Sequence, residues 1–148
     1  MSAMRFPVIF VTVVLAISAL TVAAKQETLQ ELKARAESVP LGDRPALYIE
    51  IAEWQLKSAD ELYSAGKTDD ARAAVKDVVA YSEKAHDAAI QSGKKLKSTE
   101  ISIRKMAERL RDIKRTLNFE DQAPAQAAAD RLEKLRDDLL SHMFGKGK

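Results

Sequence analysis

From Leu96 to Leu117 an apolar side chain returns every seven positions, at Leu96, Ile103, Leu110 and Leu117, with Thr99, Met106 and Ile113 between them. That period puts both series on one face of an α-helix and scatters them over both faces of a strand. Such a face needs a partner, so the stretch belongs to a helical bundle or coiled coil. The residues around it are of the same kind. Beyond residue 24 the chain is rich in Ala, Leu, Glu, Lys and Arg, all strong helix formers. Glycine and proline are few there and read as boundaries.

Those boundaries give the elements. A short leader helix is expected over about Lys25 to Ser38, stopped by Val39-Pro40-Leu41-Gly42. Asp43 is placed to cap a second helix, with Pro45 in its first turn. This helix runs to about Ala65 and stops at Gly66. Its polar residues Glu50, Glu53, Lys57, Asp60 and Ser64 fall at steps of three and four, one narrow wet stripe. The rest of its girth, Trp54 included, is apolar and calls for more than one neighbour. If the leader leaves that excess uncovered, a second chain would cover it. A third helix begins near Thr68, with Asp69 and Asp70 at its positive end, and ends near Gly93. The heptad helix follows, then a break over Asn118 to Ala123, then a fifth helix from Pro124 to Gly145. Short turns between long helices predict antiparallel neighbours. The expected fold is all-α: an antiparallel up-down bundle of four long helices over 43–145, a leader helix and linker over 25–42, and a basic tail at 146–148.

The N-terminus carries targeting information. Met1 to Arg5 holds one positive side chain, Phe6 to Leu20 is apolar with few interruptions, and Thr21-Val22-Ala23-Ala24 is followed abruptly by Lys25-Gln26-Glu27. A charged start, an apolar middle and small residues at a cut site make a secretory signal peptide over 1–24. Cleavage after Ala24 or Ala23 fits. The alternative is an uncleaved anchor, since Phe6 to Ala24 has the length of a membrane span, about 17–25 residues. The chain is therefore expected to be exported, to the periplasm or outside the cell. It has no cysteine, which closes disulfides, thiolate metal sites and covalent haem attachment.

The residues Leu62-Tyr63-Ser64-Ala65-Gly66-Lys67-Thr68-Asp69-Asp70-Ala71, continued by Val75 and Val78, resemble the turn inside a tetratricopeptide repeat. In that family an aromatic ends the first helix, glycine turns the chain, and a small alanine lets the second helix approach. Upstream, Gln55, Ser58 and Ala59 stand where the family has Trp, Leu and Gly, and Trp54 is one residue out of register. No second copy follows, and a repeat array needs about three units. The resemblance implies a close-packed helical hairpin over about 62–78 and no peptide-binding groove.

Reaction centres need patterns that are missing. No Gly-x-Ser-x-Gly occurs, no glycines cluster before a helix, and no Glu-x-x-His pair occurs. The carboxylates of Glu53–Lys57, Glu100–Arg104 and Asp130–Lys134 form i,i+4 pairs on helix faces, which stabilise helices by a few tenths of a kcal/mol each. His86 and His142 are the two histidines. Antiparallel turns near Gly93 and Glu120 put them at nearly one height on diagonal helices. Two imidazoles at one level could clamp a haem iron, and this cofactor-carrying bundle is the alternative reading; the leading reading has no catalytic residue, cofactor or metal.

Charge divides along the chain. Residues 25–93 carry 9 basic and 13 acidic side chains, whereas residues 94–148 carry 14 basic and 9 acidic. Lys97, Arg104 and Arg111 repeat every seven residues beside the apolar seam and form one stripe. It either pairs internally with the acidic first half or stays open to an acidic protein surface or anionic lipid headgroups. Near-neutral balance and few aromatics argue against nucleic acid. The function these features favour is an exported, non-enzymatic helical module that binds proteins or itself, with peripheral contact to an anionic membrane as a further partner.

Overall fold

The computed structural model describes residues 26–145, and every regular element among them is helical. The elements are α1 (Leu29–Ser38), one 3-10 turn (Leu41–Asp43), α2 (Arg44–Ser64), α3 (Thr68–Ser92), α4 (Leu96–Arg115) and α5 (Phe119–Phe144). The helices pack against one another as an all-α bundle, four long helices and a short leader. The segment read as a signal or anchor, 1–24, and the tail, 146–148, lie outside the described residues. None of the described helices is long and apolar enough to cross a membrane.

Each helix end has a local cause, and three differ from expectation. Helix α1 starts at Leu29 rather than Lys25, because the Thr28 hydroxyl accepts from the Glu31 N–H at 3.1 Å and fixes the first turn. Thr28-x-x-Glu31 is the capping-box spacing, a signal present in the sequence. Asp43 makes no side-chain cap; it closes the 3-10 turn that leads into α2, its N–H donating to Pro40 O at 2.9 Å. Helix α5 begins at Phe119, and Pro124 lies inside it. The extra turn is closed by the Asp121 N–H donating to Asn118 O at 2.9 Å and the Gln122 amide to Leu117 O at 3.1 Å. The α2–α3 turn passes through Gly66 at φ 76°, a left-handed conformation that suits glycine. Ala71, just beyond it, is fully buried. This is a close-packed hairpin.

The helices pair as two antiparallel hairpins, α2 with α3 and α4 with α5. The second hairpin then lies on the first with α3 against α5 and α2 against α4. Ion pairs fix the direction. Arg72 meets Asp121 at 2.6 Å, Glu83 meets Arg131 at 2.8 Å, and His86 meets Asp138 at 2.7 Å. The numbers rise together, so α3 and α5 run parallel. Asp60 with Arg109 joins α2 to α4 at a similar offset. Between these contacts lies one core. Ile51, Val78, Ile103, Leu110, Leu132 and Leu139 are all fully buried in it. Each such side chain contributes roughly 1.5–3 kcal/mol of transfer free energy.

Helix α1 covers the first hairpin. Leu32 and Ala36 are fully buried by it. Tyr48 on α2 donates to the Glu37 carboxylate at 2.9 Å, and Lys84 on α3 reaches the same carboxylate at 3.6 Å. The Tyr48 bond, helped by Lys84 and Arg44, holds the Glu37 carboxyl below its usual range. Burial, then the same bond, pushes the Tyr48 phenol up. The apolar excess of α2 is thus met inside one chain by α1, α3 and α4. That excess does not call for a second chain, apart from one residue.

Candidate interaction groove on α2

That residue is Trp54. It was read as part of the apolar girth of α2, yet 41% of its surface is exposed. The reason lies in the helix period. Trp54 is four residues after Glu50 and three before Lys57, and at about 100° per residue it falls at the edge of the wet stripe. The spacing to Glu50 and Lys57 was the available signal. Trp54 sits in a shallow groove lined by Gln26, Glu50, Glu53, Lys57, Ser58 and Glu61. The groove continues past Glu53 toward Ser98, Thr99 and Ser102 of α4, and past Lys57 toward Asp60 and Arg109. Helix α2 is therefore the floor of these depressions, with Gln26 at one edge and α4 at the other.

Glu53 stands where these depressions meet. Although the residue is exposed as a whole, partial burial of its carboxyl raises its pKa above the usual carboxylate value. Repulsion from Glu50 adds to the rise and Lys105 opposes it. An indole flanked by carboxylates and partly dehydrated is a surface that gains by being covered. Tryptophan anchors are enriched at protein interfaces for this reason.

The basic stripe on α4 is divided by the fold. Arg104 lies within 3.6 Å of Glu100 and 3.8 Å of Glu108 on its own helix. Arg111 reaches Glu133 of α5 at 3.3 Å. Arg136 joins them, its Nε donating to Glu100 Oε1 at 2.9 Å, and that bond raises the Arg136 pKa. Arg104, Glu100, Arg136, Glu133 and Arg111 thus form one run of ion pairs along the α4–α5 seam within the second hairpin. Lys97, the third member of the stripe, is exposed and has no ion-pair partner among the described residues. The hairpins are joined instead by Asp60–Arg109, Arg72–Asp121, Glu83–Arg131 and His86–Asp138.

The two histidines lie one helical turn apart in height, His86 level with Asp138, and on adjacent helices rather than diagonal ones. Both engage Asp138. His86 has Nε2 at 2.7 Å from the Asp138 carboxylate and Nδ1 at 2.8 Å from that of Asp87. His142 has Nδ1 at 2.9 Å from the Asp138 carbonyl oxygen. His142 is on the surface rather than pointing inward, its side chain 43% exposed. With both ring nitrogens of His86 occupied by carboxylates, the pair forms a strap between α3 and α5 and not two faces of an axial site. Among the described residues, no group of three or more His, Cys, Asp or Glu side chains is arranged to hold a metal ion.

Comparison with family models, with curated proteins and with solved structures returns no match for this chain.

Proposed function

We propose that this chain is an exported, non-enzymatic helical module that binds other proteins or a second copy of itself through the α2 groove. The observation that carries this reading is the half-exposed Trp54 in a shallow groove along α2, edged by Gln26 and sharing Glu50, Glu53 and Lys57 with the depressions against α4. The rest of the bundle supplies what such a site needs: a rigid floor, fixed by full burial of Ile51 and Ala59 on the other side of α2. Export rests on the layout of residues 1–24.

The test compares wild-type chain with Trp54→Ala by sedimentation and by capture from the exported fraction. The expected result is self-association, or retention of a defined protein, by the wild type and its loss in the variant. Equal behaviour of both chains, with the variant folded by circular dichroism, overturns the reading. A visible absorption band in the purified protein would instead favour the haem alternative at His86 and His142.

A further inference from the structure

Three lysines occupy the turn between α3 and α4 and the first residues of α4: Lys94, Lys95 and Lys97. All three are exposed, and among the described residues none of their ammonium groups has an ion-pair or hydrogen-bond partner. Lys95 is also the one non-glycine described residue with positive φ, at 64°. Glycine takes that left-handed conformation without strain, whereas a lysine held there costs the fold something. Gly93, two residues earlier, shows that glycine is used in this turn where the backbone alone decides, at φ 69°. Lys94 lies with its stem against Gly42, where an added Cβ would come within 2.6 Å of Lys94 Cδ. Gly42 follows Leu41, which is 38% exposed.

The same end of the bundle carries a second bare apolar side chain. Arg136 of α5 is level with Glu100 of α4. Phe144 is eight residues further along α5, roughly 12 Å, while α4 begins only four residues before Glu100, roughly 6 Å. Phe144 therefore stands beyond the start of α4, level with the lysine turn, and is 77% exposed. Of the four exposed large apolar side chains among the described residues, two, Leu41 and Phe144, are thus at the lysine end. The acids nearby are largely engaged: Asp87 and Asp138 face His86, and Glu37 faces Tyr48 and Lys84. Asp43 remains open to solvent beside Leu41.

We infer that this end of the molecule docks peripherally on an anionic phospholipid surface, with Lys94, Lys95 and Lys97 at the headgroups and Phe144 and Leu41 at the acyl boundary. Flexible lysines beside isolated apolar side chains match a membrane interface, which is charged outside and apolar just beneath. An acidic protein would be met better by the rigid, bidentate arginines, and Arg104, Arg111 and Arg136 are taken up in the α4–α5 seam. This surface is separate from the α2 groove.

The experiment is vesicle co-sedimentation of the full chain. Binding to neutral phosphatidylcholine vesicles sets the baseline and includes whatever the apolar N-terminal residues contribute. The readout is the additional binding when phosphatidylglycerol is included. The wild type should gain affinity on the order of tenfold or more, and lose that gain in high salt. Lys94→Gln with Lys95→Gln and Lys97→Gln should remove the gain. Phe144→Ala should reduce the gain at low salt while leaving the lysines' salt dependence in place. Lys95→Gly should raise the melting temperature while weakening binding, the signature of a strained residue kept for contact. Arg104→Gln with Arg111→Gln should lower the melting temperature and leave the gain intact. The inference is overturned if anionic lipid adds nothing, if the triple variant binds like wild type, or if an acidic protein is bound in place of lipid by the same lysines.

Discussion

The two hairpins reach similar burial by opposite means. In the first, α3 presents Ala71, Ala74, Val75, Val78, Ser82, Ala85, Ala88 and Ala89 to the core, a face of small side chains against which α2 fits closely. In the second, α4 presents Thr99, Ile103, Met106, Leu110 and Ile113 around Ala107, and α5 answers with Leu132, Leu135 and Leu139 after a first half of Ala125, Ala128 and Ala129. Close approach leaves no room to enlarge a side chain. Packing by long side chains leaves a cavity when one is shortened. One hairpin should therefore be sensitive to added volume and the other to lost volume.

The largest effect is expected in the second hairpin. Leu110→Ala, at a fully buried heptad position, should destabilise by about 3 kcal/mol, read from chemical denaturation. A loss under about 1 kcal/mol would mean that the α4 seam relaxes around the change, and the contrast would weaken. The mirror test is Ala85→Leu in the first hairpin. Ala85 is fully buried on α3, and overpacking there should cost about 2 kcal/mol. Tolerance of leucine would show that the small-residue face is looser than its burial implies.

Two smaller effects sharpen the comparison. Ser82 is fully buried in the small-residue face, and its hydroxyl has no hydrogen-bond partner among the described residues. Ser82→Ala should stabilise the protein by about 1 kcal/mol, since it removes a dehydrated, unpaired polar group. A loss of stability would reveal a partner for the hydroxyl. Glu53 gives the smallest effect and a pH signature. Its folded pKa lies above the unfolded value, so its contribution is fully present below the ordinary value, 4.5, and is lost as pH rises through the raised one. Glu53→Gln should therefore melt slightly higher than wild type at neutral pH, and the difference should vanish in acid. A difference that grows in acid would reverse the sign and contradict the dehydrated carboxyl.

The same contrast explains what could be read before the fold was known. The α4 heptad announced its environment, because Ile103, Met106, Leu110 and Ile113 each follow from period alone and all are buried. The order of the helices around the core could not be read in this way. Short turns permit α3 to lie beside α4 or beside α5. The choice goes with pairs 48 to 52 residues apart, Glu83–Arg131, Arg72–Asp121 and His86–Asp138, and no local pattern links them. The histidines fall on adjacent helices for that reason. Trp54 is apolar yet exposed because its position between Glu50 and Lys57 puts it on the rim. The stripe of Lys97, Arg104 and Arg111 was legible as a stripe, but not its partners, because Glu133 comes from another helix.

The proposed contact at Trp54 is directly observable because the chain contains one tryptophan. Incorporating 5-fluorotryptophan gives a single fluorine resonance, unobscured by any unlabelled protein added to it. As chain concentration rises, or as exported-fraction proteins are added, the resonance should shift or broaden as the indole is covered. A resonance that stays at its free position while the chain is demonstrably in a complex would place the contact elsewhere and contradict the α2 groove.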